Sequence, residues 1–179
     1  VDALPEAERA DFAVKVITGN FSFEHGNRKG AAIWSDVATM MPWAVYENYG
    51  DLNLLRAEYP VMKTWVERMR RDDTEDGGRG LWLRGRQLGD WLALDKPDPK
   101  DAENPFGATD LQYTASCFYF YSTELTMKAA RALGYAEDAE DYAALSQKIR
   151  GAVISEYFNP DGSFKIEGTQ TACVLSLFF

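Results

Sequence analysis

Two long segments of the sequence, residues 110–133 and about 137–157, carry apolar residues at helical spacing and lie only a few residues apart. Asp110 can cap the first predicted helix, and Gly134 is a typical residue for its end. The predicted buried stripes are Leu111, Ala115, Phe118, Tyr121, Leu125, Ala129 and Leu133 on the first helix, and Tyr142, Leu145, Ile149 and Val153 on the second. Because a short connection keeps consecutive helices together, we expect an antiparallel helical hairpin here.

A similar pair of helices is predicted upstream. Ser35 is a suitable N-cap for a helix that begins near residue 35 or 36, Gly50 would end it, and Asp51 can cap the next helix. Pro42 and Pro60 lie inside these two patterns, and each proline removes one backbone hydrogen bond. We therefore expect a kink or a later start in the first helix, and we allow two shorter helices in place of the second. The apolar stripes are Val37, Met40, Met41, Val45 and Tyr49, then Leu54, Leu55, Tyr59, Met62, Trp65, Val66 and Met69.

The segments outside these helices are long in three places. Residues 72–80 are polar and glycine-rich, which predicts a loop, and residues 81–108 form a long irregular connection that contains Trp82 and Trp91. Long loops in compact domains are usually functional or disordered, and two tryptophans argue against disorder. Residues 1–30 are poorly patterned and are expected to form a lead-in to the helical part.

The sequence ends in an apolar stretch, residues 172–179, which Thr169 or Thr171 would open as a helix. We interpret this stretch as a helix that continues in a longer protein, with pairing to another copy as the alternative. Helix faces left uncovered in such a partial fold would favour self-association.

Composition restricts the classes of function. The net charge is −9, from 28 acidic and 19 basic residues, and the sequence lacks the basic stripe that nucleic-acid binding needs. No apolar run approaches the ~18 residues of a membrane span. Cys117 and Cys173 lie in apolar helical patterns and are interpreted as buried thiols, and the single histidine, His25, is predicted on an exposed loop. With so few Cys and His residues we expect neither a metal site nor a cofactor.

Helical hairpins joined by long tryptophan-containing loops suggest helices arranged in pairs around a core. In an α/α toroid the starts of the inner helices and their loops build a cavity at one end, and sugars suit it because their C–H faces pack on indole rings. Two carboxylate–tryptophan pairs lie at such boundaries, Asp36 beside Trp34 and Asp90 beside Trp91. A purely structural interpretation stays open, with Asp36 favoured by the helix dipole, Asp90 as a cap, and both tryptophans as core residues.

Five stretches of sequence, weakly specific one by one, together form a specific ordered pattern from about residue 30 to the end. They are AIWSDVA at 32–38 with MPWAVYENYGD at 41–51, YPVMKTWV at 59–66, LGDWLALD at 88–95, ATD at 108–110 with the aromatic helix through Ser122, and TQTA at 169–172. In this order and spacing they resemble the catalytic domain of the bacterial α-L-rhamnosidases of glycoside hydrolase family 78.

The resemblance implies an all-α fold, an incomplete (α/α)6 toroid of helical hairpins with long connecting loops, in which residues 1–179 form part of a catalytic domain. It implies a parent enzyme that hydrolyses terminal α-L-rhamnosyl groups of rhamnose-containing glycosides with inversion. By the same resemblance Asp36 contacts rhamnose hydroxyls and Trp91 packs in the sugar pocket. Asp90 and Trp34 are further candidate substrate-binding residues.

The catalytic pair of the family has no counterpart in this sequence. The family's general acid lies in an Asp/Glu/Arg-rich segment upstream of the first matching stretch, and its general base lies well downstream of the last. Inverting hydrolysis needs both, so no residue here is assigned as acid or base. We therefore expect the chain to supply a wall of a sugar pocket and to hydrolyse nothing on its own. Two alternatives stay open: a non-catalytic helical module that binds sugar or protein, and another (α/α)6 glycosidase.

Overall fold

A computed structural model describes residues 30–85, 87–95, 98 and 107–179. Within these ranges the chain forms five helices: α1 Val37–Tyr49, α2 Leu52–Glu75, α3 Leu111–Leu133, α4 Ala136–Tyr157 and α5 Gln170–Phe178. In the same ranges one isolated antiparallel bridge joins Phe158 to Phe164. Residues 1–29 of the predicted lead-in, which include His25, lie outside the described residues. No helix in the described part is long and apolar enough to cross a membrane.

The helix ends follow the local signals that predicted them. Gly50 and Gly134 end α1 and α3 in the left-handed conformation, with φ of 69° and 79°. The side chains of Asp51 and Asp110 accept backbone N–H groups of the first turns of α2 and α3. Thr169, one of the two predicted openings of the last helix, caps α5 in the same way. These boundaries are confirmed. They could be predicted because capping depends on residues within one turn of the helix end.

Both internal prolines lie within continuous helices, so the later start expected at Pro42 is wrong and the division allowed at Pro60 does not occur, while a kink at Pro42 stays a prediction. Pro42 lies inside α1, which begins at Val37, and Pro60 lies inside a single α2 of 24 residues. A proline in a helix interior costs about 3 kcal/mol, whereas burying one large apolar side chain gains about 1.5–3 kcal/mol. The face of α2 that holds Leu55, Met62, Trp65 and Met69 is fully buried. Packing of this face therefore outweighs the missing hydrogen bond.

Two further boundaries differ from the prediction. Ser35 is not the N-cap of α1; Asp36 holds that position, without a side-chain capping bond. The predicted loop at residues 72–80 starts later, because Asp72 and Asp73 belong to α2 and are buried. Polar composition suggested a loop, but both carboxylates accept internal hydrogen bonds, Asp72 from the Trp82 indole and Asp73 from the Gly80 backbone.

The helices pack as two hairpins and a short last helix. Helices α1 and α2 are separated by two residues and contact each other, and so do α3 and α4, which confirms the predicted hairpins. Helix α3 contacts the other four helices. The largest fully buried side chains include Trp65, Trp82, Tyr113, Tyr119 and Ile149, from α2, the loop after it, α3 and α4. The core thus lies around α3.

Apolar residues on α1 and α5 face outward in the described part of the chain. Val37, Met41 and Tyr49 are 38%, 58% and 81% exposed, so much of the stripe predicted to be buried on α1 is uncovered. The buried face of α1 instead carries Ala38, Thr39 and Pro42. On α5 the exposed apolar residues are Val174, Leu177 and Phe178. Helical spacing identifies an apolar face correctly, but it does not say which neighbouring element covers that face.

The two cysteines differ in their surroundings. Cys117 on α3 is buried, as predicted, whereas Cys173 on α5 is exposed and the prediction of a second buried thiol is wrong. Helix α5 has nine residues and packs on α3 through Ala172 and Leu175, which leaves the side of the helix that carries Cys173 uncovered.

Candidate functional site

Two of the predicted site residues meet in space. Trp34 precedes α1, and Trp91 lies in the connection between α2 and α3. Their ring centroids are 6.4 Å apart and their planes are inclined by 68°, an edge-to-face arrangement. Trp91 is 38% exposed and Trp34 is partly buried, so the pair presents indole surface to the outside of this chain.

The backbone next to each of these tryptophans adopts a conformation that is rare for residues other than glycine. Ile33, directly before Trp34, has φ of 73°, and Leu92, directly after Trp91, has φ of 63°. Such conformations cost on the order of 1–3 kcal/mol each and persist only where surrounding contacts enforce them. The cost is high for a β-branched residue such as isoleucine. The two loops are therefore held in place by interactions elsewhere.

Gln87 is one of these interactions. Its side chain is buried, its Oε1 accepts the Ala32 backbone N–H at 3.0 Å, and its Nε2 donates to the Arg84 carbonyl at 3.0 Å. Gln87 thus joins the loop that carries Trp91 to the loop that carries Trp34. Sequence reasoning missed this residue, since a glutamine in an irregular segment has no local pattern that reveals a partner 55 residues away.

Asp36 is completely buried beneath the Trp34 loop. Its Oδ1 accepts hydrogen bonds from Trp65 Nε1 at 2.8 Å and Ser122 Oγ at 2.6 Å, and its Oδ2 accepts the Ile33 backbone N–H at 2.7 Å. Burial raises the pKa of Asp36 to about 6, and the three hydrogen bonds partly offset that rise. The carboxylate therefore links the loop to α2 and to α3.

Asp90 connects the Trp91 loop to the beginnings of two helices. Its Oδ2 accepts the Thr109 hydroxyl at 2.6 Å, and Thr109 Oγ1 also lies in hydrogen-bond contact with Thr169 Oγ1. Thr169 in turn caps α5. The other oxygen of Asp90 is buried without a hydrogen-bond partner in the described part of the chain. A Cβ atom at Gly107 would approach that oxygen to 2.4 Å, so only glycine fits there.

The four predicted residues thus separate into two kinds. Trp34 and Trp91 come together with their rings accessible, while Asp36 and Asp90 point inward and bond to protein groups. Neither carboxylate caps a helix through its side chain. The structural interpretation had suggested such a cap for Asp90, whose side chain bonds to Thr109 instead. Direct contact of either carboxylate with a sugar stays a prediction.

Two other features bear on what the described residues can bind. No group of His, Cys, Asp and Glu side chains in the described ranges is arranged to hold a metal ion. A cavity of about 490 Å³ lies between α3, α4 and α5, lined mainly by apolar side chains such as Tyr113, Phe120, Val153, Ile154, Leu175 and Phe179. None of the four predicted site residues lines this cavity. The cavity is therefore separate from the candidate sugar-binding surface, which is the tryptophan pair.

Known proteins are similar to this chain in sequence and in fold. The sequence model of one protein family, the bacterial alpha-L-rhamnosidase six-hairpin glycosidase domain, matches residues 2–179. An alpha-L-rhamnosidase of Alteromonas sp. (strain LOR) is 33% identical over 147 residues, which cover 82% of this chain and 15% of that protein. The crystal structure of a native alpha-L-rhamnosidase from Aspergillus terreus superposes with a TM-score of 0.73 at 26% identity, covering 96% of this chain and 21% of that one.

A second solved structure is that of Streptomyces avermitilis alpha-L-rhamnosidase complexed with L-rhamnose. It superposes with a TM-score of 0.65 at 29% identity and covers 95% of this chain and 16% of that one. The chain spans 12–16% of the length of the curated relatives that it matches. These similarities, with the helical hairpins described above, confirm the predicted all-α fold as part of an (α/α)6 hairpin domain.

Proposed function

This chain belongs to the bacterial alpha-L-rhamnosidase six-hairpin glycosidase family, and we propose that the full-length protein hydrolyses terminal α-L-rhamnosyl groups of rhamnose-containing glycosides. The chain supplies one wall of the sugar pocket in this proposal. Support comes from curated relatives named alpha-L-rhamnosidases and from a related structure that holds L-rhamnose.

The observation that carries the proposal for this chain is the meeting of Trp34 and Trp91. The loop before α1 and the connection between α2 and α3 bring the ring centroids to 6.4 Å, and each contains one residue in a costly backbone conformation. An accessible indole surface is suited to the C–H face of a sugar ring. Strained loops that orient such a surface are typical of binding sites rather than of simple core packing.

We expect the general acid and the general base to lie in parts of the full-length protein outside this chain. Inversion at the anomeric carbon needs a carboxylic acid that protonates the leaving oxygen and a carboxylate that activates water, typically about 6.5–9.5 Å apart. No residue of this sequence matches the family's segments for either group. We therefore expect the chain, expressed by itself, to lack hydrolase activity, and the full-length protein to possess it. The assignment of residues 1–179 to a single partial catalytic domain is part of this proposal.

The test uses the full-length protein with an aryl α-L-rhamnoside. Trp91→Ala should lower kcat/KM by about tenfold or more, because it removes a stacking surface worth on the order of 1 kcal/mol or more. Tyr49→Ala removes an exposed aromatic ring at the opposite end of α1 and should leave kcat/KM unchanged. Hydrolysis of an aryl glucoside or mannoside, with the rhamnoside untouched, would indicate a different (α/α)6 glycosidase. Absence of hydrolysis with any glycoside would favour a non-catalytic module.

A further inference from the structure

The surroundings of Asp36 do not resemble those of a residue that contacts a ligand. The side chain has no exposed surface, and each of its oxygens already accepts hydrogen bonds from protein groups. A sugar hydroxyl could reach this carboxylate only if the turn of residues 30–35 moved away. Asp36 therefore needs a role that it can perform from beneath the site.

The chemistry of its three partners requires two acceptor oxygens. The indole Nε1 of Trp65 and the backbone N–H of Ile33 can only donate, and Ser122 donates its hydroxyl to Oδ1. An amide in place of the carboxylate would turn its NH2 group towards at least one of these donors. Asp36 is thus suited to joining three donors, and asparagine is not.

Those three donors belong to three different parts of the fold. Trp65 lies on α2, where its ring packs edge-to-face on Trp82 at 5.7 Å, and Ser122 lies on α3. Ile33 belongs to the turn that presents Trp34, and its φ of 73° is unfavourable without such a tie. The bond from the Ile33 N–H to Asp36 therefore fixes the turn, and with it the residue that follows.

We propose that Asp36 is a positioning residue, whose buried carboxylate ties the turn before α1 to α2 and α3 and so holds Trp34 in its place against Trp91. It acts on the sugar through Trp34 and not by direct contact. For its kinetic readout this inference rests on the proposed function of the full-length protein. Its structural readout does not depend on that function.

A double-mutant cycle in the full-length protein tests the kinetic part. Asp36→Asn should lower kcat/KM for an aryl α-L-rhamnoside by roughly tenfold to a hundredfold, the size expected when a binding group is displaced by about 1 Å. In a Trp34→Ala background the same substitution should cost little more, because its effect passes through Trp34. Equal losses in both backgrounds would mean that Asp36 acts independently of Trp34, and would overturn the proposal.

Asp138→Asn is the matched control. Asp138 on α4 also accepts two side-chain donors, Tyr59 Oη at 2.8 Å and Lys63 Nζ at 2.8 Å, but both donors lie on α2 and neither belongs to the loops that carry the tryptophans. This substitution should lower stability and leave kcat/KM unchanged. Ser122→Ala keeps the Asp36 charge and removes one donor, so it should give a smaller loss in the same cycle even if Asp36→Asn folds poorly. If Ser122→Ala leaves kcat/KM unchanged, or if Asp138→Asn lowers it as much as Ser122→Ala does, the proposal is wrong.

NMR of 15N-tryptophan-labelled protein supplies the readout that needs no substrate. Asp36→Asn should shift the indole signals of Trp34 and Trp91 as well as that of its direct partner Trp65, and Asp138→Asn should leave the Trp34 and Trp91 signals in place. Unmoved Trp34 and Trp91 signals in Asp36→Asn would overturn the proposal. Moved signals in a protein without rhamnosidase activity would support the positioning role while rejecting the proposed function.

Discussion

A single buried carboxylate, Asp36, should make stability depend on pH in an unusual direction. Burial raises its pKa from 3.8 to about 6, so its charged form is less favourable in the folded than in the unfolded state. The contribution of Asp36 to stability is therefore greatest below about pH 4 and is lost as the pH rises through about 6. The corresponding change is on the order of 3 kcal/mol. The described partners of the carboxylate are neutral donors, so this dependence belongs to Asp36 itself.

Urea unfolding followed by tryptophan fluorescence at pH 4.5 and pH 7 measures this contribution. Other carboxylates titrate in the same range, so the informative quantity is the difference between the wild-type protein and Asp36→Asn at each pH. The wild-type protein should lose more stability than the variant on going from pH 4.5 to pH 7. A pH dependence that is identical in the two proteins would contradict the raised pKa.

At the same scale, residue types indicated which aromatic side chains come together better than they indicated the direction of the carboxylates. Trp34 and Trp91 could be selected from the sequence because each lies within two residues of an aspartate at the boundary of a predicted element. The inward direction of Asp36 could not be foreseen, since it depends on Trp65 and Ser122, which are 29 and 86 residues away. Gln87 and Thr109 were missed for the same physical reason: their hydrogen bonds are made between loops that only the packed helices bring together.

Among the structural elements, helix ends were predictable and helix interiors were less so. A cap such as Asp51 or Gly134 acts on neighbouring residues, so the sequence around it contains the relevant interactions. The continuity of α2 through Pro60 depends instead on the burial of its apolar face against other helices. Tertiary burial overrode the local preference, and a single sequence does not show how much of it there will be.

The start of α5 allows a test of whether a helix cap also supports the candidate site. Thr169 Oγ1 accepts the Ala172 backbone N–H at 3.0 Å and also contacts the Thr109 hydroxyl that bonds to Asp90. Thr169→Val keeps the shape and removes both interactions, so we expect a loss of about 1–2 kcal/mol in unfolding free energy. Chemical denaturation of the variant measures it.

Asp51→Ala is the comparison for this prediction. It removes the exposed cap of α2, which has no connection to Asp90, and should cost about 1 kcal/mol or less. In the full-length protein Thr169→Val should also weaken rhamnose binding, because Asp90 lies next to Trp91, whereas Asp51→Ala should not. Equal effects of the two substitutions on binding would show that the Thr109–Thr169 contact does not reach the site.

For the molecule as a whole, the sequence predicted the hairpins but not the covered surfaces. Apolar periodicity and short connections are local, and they give helical pairs directly. The contacts of α3 with α1, α2, α4 and α5 result from tertiary packing instead. This packing leaves apolar side chains exposed on α1 and α5 in the described part of the chain, a consequence that follows from the arrangement rather than from the periodicity.

These exposed faces lead to a prediction about association. Met41 and Tyr49 on α1 and Leu177 and Phe178 on α5 are each more than half exposed, and clustered apolar surface of this kind favours contact between molecules. The 179-residue chain by itself should therefore form dimers or larger species whose mass increases with concentration in light scattering. Leu177→Glu should shift the chain towards the monomer, since it places a charge on the α5 face. Leu94 is fully exposed but lies in the loop of residues 87–95, outside both faces, so Leu94→Glu is the matched control and should leave the mass unchanged. A monomer at every concentration, or an equal response to the two substitutions, would show that the apolar faces of α1 and α5 do not drive association.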